Sequence, residues 1–259
     1  MAMHNEMLMS EKSKLVNLQE TIYTSKNPTR RWLHCTRRDW IADALNRVEV
    51  PSTQRALEVG PGSGIYLPVL ANRFETVVAS DIESAYLDNA RHLLPAHPNL
   101  SLQTDDITSS ALPAASFDLI LCTEVVEHIV DSAAAISEMH RLLKPGGTLI
   151  LSTPQRYSPL ELTAKIAFLP GVIQLVRLIY REQIDETGHI NLMTEKQATA
   201  QIASAGFKVH ERHKSGVYLP LIAEFAGELG LKLEKWMEKS MRKGMFSGLL
   251  WTQYYVAKA

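Results

Sequence analysis

Gly60, Gly62 and Gly64 stand at G-x-G-x-G spacing and close an apolar run that begins at Ala56, with Glu58 inside it. Glycine lets the backbone turn tightly and lets a ligand approach with no Cβ in the way, so such a loop is a cradle for a small molecule. Asp81 closes the next apolar run, where a carboxylate can accept hydrogen bonds from both hydroxyls of a ribose. Asp105 and Asp106 follow a third run and compete for one further polar contact. Histidine is the residue type suited to moving a proton near neutral pH, and the chain has nine. The glycines and acids together fit a nucleoside-like ligand.

The glycine spacing argues against one relative of that chemistry. A nicotinamide dinucleotide fingerprint, G-x-G-x-x-G, would need a small residue at position 65, where Ile65 stands. That fingerprint carries a pyrophosphate onto a helix amino terminus, which a nucleoside without phosphate does not require.

The elements that must position these residues read as an α/β alternation. Strands are expected at 56–60, 76–81, 100–105, 117–123 and 148–152, and helices at 64–74, 84–94 and 131–143. In the last helix Ala135, Ile136, Met139 and Leu143 share a face, and Lys144-Pro145-Gly146-Gly147 reads as its stop. A helix near 194–205, a strand near 207–213 and a final strand near 250–257 follow. The order predicts a doubly wound, mostly parallel sheet.

Around this core, 1–48 reads as a helical N-terminal cap, with Trp32, Trp40, Ile41, Ala44 and Leu45 as packing residues. Its arginines 30, 31, 37 and 38 are expected to form a solvated face. The domain proper is expected over 49–259, with a lid insertion near 155–190 and a helical insertion near 217–248. The apolar stretch 159–180 is broken by Glu161, Lys165, Arg177 and Pro170-Gly171, so it predicts two short helices over a hydrophobic pocket or a dimer contact, not a membrane span. Within 217–248, Leu229, Leu233, Trp236, Met237 and Met241 fall on one helical face and are expected to pack against the domain. Support on a membrane surface is the alternative for that helix.

The segment 58–64, Glu-Val-Gly-Pro-Gly-Ser-Gly, resembles motif I of class I S-adenosylmethionine-dependent methyltransferases. The stretches FDLILCTEVVEHI at 117–129 and LLKPGGTLIL at 142–151 resemble the same family's fourth and fifth strands. GHINLMT at 188–194, followed by Gly206-Phe207, is similar to the small-molecule, type 11, quinone-methyltransferase-like branch, with Met193 in the usual aromatic place. The resemblance implies a Rossmann-like sheet of seven strands with the last antiparallel, and helical insertions after strands 5 and 6. It implies S-adenosylmethionine as cofactor, with S-adenosylhomocysteine as product. The residues implied to hold it are Glu58, Gly60, Gly62, Gly64, Asp81 on the ribose, Ile82, Asp106 at the adenine amino group, Ile107 on the ring, and Thr123. His189 and His128 are the catalytic candidates, each with a structural role as its alternative. Transfer itself is an in-line displacement that needs alignment more than an obligatory catalytic group.

Composition narrows the partner. Lys plus Arg number 27 against 28 for Asp plus Glu, so no strong field for nucleic acid is expected. A small, hydrophobic acceptor is the expected partner; peripheral membrane contact is the lesser expectation, and oligomeric state stays open. The two cysteines, Cys35 and Cys122, lack metal-ligand spacing and the density of a disulfide scaffold, so no metal is expected and a reducing cytoplasm fits. The first residues carry Glu6 and Glu11 and no continuous apolar stretch, so export is not expected. A binding module that keeps the cofactor without turnover, and a methyltransferase acting on a macromolecule, are the rival readings.

Overall fold

The computed structural model describes residues 22–49, 54–167 and 188–259. Apolar runs in the chain fold as strands β1 (Arg55–Val59), β2 (Thr76–Asp81), β3 (Leu100–Thr104), β4 (Phe117–Thr123) and β5 (Leu143–Pro154), followed by β6 (Lys208–Ser215) and β7 (Thr252–Lys258). They form one seven-stranded sheet in the order β3-β2-β1-β4-β5-β7-β6. The first five pair in parallel, and β7 runs antiparallel to both β5 and β6. This is the Rossmann-like sheet with antiparallel last strand that the motifs implied.

Successive strand residues face opposite sides of the sheet, so each buried strand feeds two cores. Leu57, Ile120, Leu149 and Tyr255 join Ile136 and Met139 on one face. Ala56, Leu119, Leu121 and Ile150 join Leu67, Leu70 and Ile41 on the other. The helices that cover them are α1 (Pro28–Arg47), α2 (Leu67–Ala71), α3 (Ser84–Leu87), α4 (Ser132–Leu142), α5 (Pro159–Ala167) and α6 (Glu195–Ser204), then α7 (Pro220–Phe225) and α8 (Gly227–Met241). Asn27 caps α1, Asp131 caps α4, and Thr194 with Gln197 forms a capping box on α6.

Several expectations shift in the fold. The helix expected over 64–74 is only Leu67–Ala71, because Gly64 takes a left-handed backbone and Pro68 suits the first helical turn. The helix expected over 84–94 gives way after Leu87 to a 3-10 turn, Asp88–Leu93. Lys144 to Gly147 is not a stop before the strand: β5 already begins at Leu143, paired with Phe117, and Ala259 bonds back to Gly146 and Gly147.

The basic cluster of α1 is a solvated face only in part: Arg31 is exposed and Arg38 partly so. Arg37 is buried, and Arg30 pairs with Glu224 at 2.8 Å. The roll of α8 is also the reverse of the one expected. Its buried face is Gly230, Leu231, Glu234 and Glu238, while Leu229, Leu233 and Trp236 point outward and Met237 and Met241 are half-buried. The first of the two expected insertion helices is α5; the second falls in 168–187, outside the described residues. Among the described residues no helix is long and apolar enough to cross a membrane.

Strand order reverses between β1 and β4, since β2 and β3 lie to one side of β1 and β5 to the other side of β4. In open α/β sheets the crevice outside the carboxyl ends of such a pair is where ligands bind. The register sets Val59 level with Ser80 and Cys122, so Gly60, Asp81 and Thr123 emerge together at that edge.

Candidate active site

The loop after β1 is built from left-handed glycines, with φ of 65° at Gly60, 54° at Gly62 and 74° at Gly64. A Cβ at Gly60 would also run into the Val125 side chain, so a tight turn and a close approach both require glycine there. Beneath the loop lies Glu58. Its side chain is buried, and neither carboxyl oxygen has a hydrogen-bond partner. Burial pushes its pKa up to about 8. A buried carboxyl with both oxygens unpartnered lacks a cation or donor, and the ammonium of a bound amino-acid moiety is such a group. On this observation the loop fits the amino-acid end of S-adenosylmethionine.

The next strand ends offer carboxylates with different commitments. Asp81 is half-exposed at the end of β2, where its Oδ1 accepts from the Glu83 amide at 2.9 Å. Asp105 spends both oxygens on its own loop, accepting from Ser110 Oγ at 2.6 Å and from the Ala111 amide at 2.9 Å. Asp106 uses only Oδ1, on the amide and hydroxyl of Thr108. Asp106 thus keeps more acceptor capacity than Asp105. Ile82 is 64% exposed beside Asp81, an apolar surface open to a ligand, whereas Ile107 is buried in the core and Thr123 is half-buried at the end of β4.

At the end of β4 the chain is strained. Glu124 has φ 56°, a left-handed backbone without glycine's freedom. Its carboxylate accepts from Ser152 Oγ at 2.8 Å and from Arg37 Nη1 at 2.6 Å. Burial works against the charge on Arg37, and the Glu124 carboxylate overrides it, so the Arg37 pKa rises. Arg37 also lies 5.3 Å from the ring centroid of Trp251, the residue before β7. The pairing carries no sequence signal, because this contact spans 87 positions of sequence.

The two histidines come together. Their ring centroids are 5.1 Å apart, although they lie on either side of α4 and α5 in sequence. Nδ1 of His128 faces the Gly188 carbonyl at 3.2 Å, and Nδ1 of His189 faces Glu161 Oε2 at 3.0 Å. Both partners are acceptors, so each ring holds its proton on Nδ1 and leaves the Nε2 lone pair available. The other oxygen of Glu161 accepts from Trp251 Nε1 at 3.1 Å, which fixes the carboxylate. Burial and then neighbouring His189 lower the pKa of His128. Glu161 was expected only as a charge interrupting an apolar stretch, and its site role is visible only in space.

Behind the pair, Glu127 is buried; Thr153 Oγ1 donates to its Oε2 at 3.0 Å, and its Oε1 has no hydrogen-bond partner, with His128 Nε2 3.9 Å away. Burial and then Glu124 raise its pKa well above the carboxylate range. Ligand atoms of Glu127, His128 and His189 all lie within 4.8 Å of one another, close enough to share one metal ion. A separate concavity of about 470 Å³ opens near Gln54, Asp118 and Lys144, away from all of these groups, and the glycine loop contributes nothing to it.

Residues 57–151 match the methyltransferase domain family. Over 155 residues the chain is 28% identical to a Mycolicibacterium smegmatis protein named "Probable S-adenosylmethionine-dependent methyltransferase", covering 60% of this chain and 52% of that one. It is 34% identical to the ubiquinone biosynthesis O-methyltransferase of Alkalilimnicola ehrlichii over 124 residues, 46% of this chain and 48% of that one. The chain thus spans about half the length of these curated relatives. A solved S-adenosylmethionine-dependent methyltransferase from Mesorhizobium loti superposes with TM-score 0.56 at 16% identity, covering 86% of this chain and 98% of that one. The [4+2]-cyclase SpnF superposes equally well, with TM-score 0.56 at 16% identity over 85% of this chain and 80% of that one. The fold therefore carries more than one chemistry, and the site must decide.

Proposed function

We propose that this protein transfers the methyl group of S-adenosylmethionine to an oxygen of a small, apolar acceptor, with His189 as general base. The observation that carries the proposal is the Glu161–His189 pair at 3.0 Å, which fixes the tautomer and leaves Nε2 as a proton acceptor. When bound, the cofactor supplies an already activated methyl group on a sulfonium. Glu58, Gly60, Gly62 and Gly64 hold its amino-acid end, Asp81 its ribose, and Asp106 with Ile82 its adenine; Thr123 lines the same edge and Ile107 supports Asp106 from the core. His128 shapes the acceptor side of His189. Val130 and Ile190, exposed next to the histidine segments, together with Leu162 and Ile166 of α5, suit an apolar acceptor. The printed name of the Alkalilimnicola relative supports a small-molecule acceptor.

In this reading the described part of the N-terminal segment, 22–48, caps a cofactor domain, and Cys35 and Cys122, both free, suit a cytoplasmic setting. The test is methyl transfer from labelled S-adenosylmethionine to a panel of lipophilic phenols. Transfer that His189→Ala lowers about 10²-fold or more, with cofactor affinity unchanged, supports the reading. Transfer unchanged in His189→Ala removes the base.

A second reading of the same atoms is favoured by Glu127 Oε1, which has no hydrogen-bond partner: a divalent cation held by Glu127, His128 and His189. A chelator that abolishes transfer, restored by added divalent metal, selects it over the free general base.

A further inference from the structure

Part of the outward face of α8 is apolar where a surface helix is ordinarily polar. Leu229, Leu233 and Trp236 lie at i, i+4 and i+7, exposed by 75%, 42% and 65%, and Leu221 and Phe225 of α7 continue the row. Met245 and Phe246, in the turn after α8, extend it. Scattered apolar residues on a surface need no explanation, but a continuous row does.

The roll that exposes this row is held by specific bonds. Glu234 accepts from Thr29 Oγ1 at 2.6 Å and from the Leu219 amide at 2.8 Å. Glu238 accepts from the Gly216 amide at 2.7 Å and pairs with Arg242. Gly230 lets α8 approach α7 closely, since a Cβ there would come within 2.7 Å of the Ile222 carbonyl oxygen. Rolling α8 to bury its leucines would strip Glu234 of both partners and Glu238 of the Gly216 amide.

The same roll sorts the charges. The carboxylates of Glu234 and Glu238 face inward, and Lys232 and Lys239 lie exposed about 80° around the helix from the apolar row, with Lys235 exposed further round and Lys243 exposed in the turn beyond the helix. Glu228 is the one exposed acidic residue on α8. An apolar strip of Leu, Phe and Trp bordered by lysines has the chemistry of a helix lying in a lipid interface with an anionic surface.

We propose that α7, α8 and the turn that follows dock the protein on an anionic lipid bilayer. Trp236, Leu229 and Phe225 enter the boundary between headgroups and acyl chains, and the lysines beside the row meet the headgroup charge. The surface is separate from the histidine pair, so the proposal stands apart from the choice of acceptor and base.

The test is co-sedimentation of the full chain with phosphatidylglycerol/phosphatidylcholine vesicles and with phosphatidylcholine vesicles alone, at low and high salt. Binding to anionic vesicles at least about tenfold stronger than to neutral ones, weakened by salt, is expected. Leu229→Glu/Trp236→Glu and, separately, Lys232→Glu/Lys239→Glu should each abolish it. The thermal shift given by S-adenosylhomocysteine should stay as in the parent protein, which shows that the variants fold. No binding to anionic vesicles, or binding that neither pair of substitutions weakens, overturns the proposal. A dimer in light scattering that Leu229→Glu/Trp236→Glu dissociates, with no vesicle binding by the parent, overturns it in favour of a second copy on this face.

Discussion

Arg37 Nη1 donates to Glu124 Oε2 at 2.6 Å, tying the middle of α1 to a left-handed residue at the mouth of the crevice. The cap thus meets the domain through a buried ion pair in addition to its apolar face. Removing one partner leaves the other charge buried and alone, so Arg37→Met should cost about 3 to 5 kcal/mol. Urea unfolding measures it. Arg37→Met combined with Glu124→Gln should recover part of that loss, and strictly additive costs would show that the two residues are not coupled.

Glu58 makes stability fall with pH. Its folded-state pKa is about 8, above its ordinary value, so the folded protein holds a proton that the unfolded chain releases. The contribution is complete below the ordinary carboxyl pKa and is lost as pH rises through about 8. Glu58→Gln should flatten this slope, which amounts to a few kcal/mol at most. Denaturation at pH 5 and pH 8.5 compares them. The thermal shift given by S-adenosylhomocysteine should grow with pH in the parent protein, as Glu58 ionises beside an ammonium, and should not grow in Glu58→Gln.

Glu161→Gln tests the tautomer. Trp251 Nε1 donates at this position, so a glutamine there turns its oxygen to Trp251 and its amide N–H to His189 Nδ1. The ring must then carry its proton on Nε2 and loses the lone pair proposed as the base. The turnover number should fall at least about tenfold with KM little changed. An unaltered turnover number would place the proton acceptor elsewhere.

The aspartates should separate into fold and ligand effects. Asp105→Ala breaks two loop contacts and should lower stability by about 1 to 3 kcal/mol, with a smaller effect on cofactor affinity once folded. Asp81→Ala and Asp106→Ala should weaken S-adenosylhomocysteine binding in calorimetry while leaving the melting temperature of the free protein within a few degrees. Affinity unchanged in Asp81→Ala would remove the ribose assignment.

The strands and the crevice were legible because their signals are local. Apolar runs closed by Gly60 and Asp81 mark the strands and the ends at which they emerge, and G-x-G-x-G with its following acids marks the crevice proposed for a nucleoside. Helix lengths were less legible, since the left-handed Gly64 and the 3-10 turn after Leu87 depend on how each segment meets its neighbours.

What the sequence determined, then, is the α/β alternation, the glycine cradle and the two candidate histidines, all set by the chemistry of neighbouring residues. The tertiary structure alone decided that Arg37 is buried against Glu124, that Glu161 orients His189, that Asp105 is spent on its own loop, and that α8 turns its leucines outward. Each depends on a partner far away in the chain or on a carboxylate satisfied by backbone donors. Periodicity reports which residues share a face, but hydrogen bonds to buried charges decide which face turns inward.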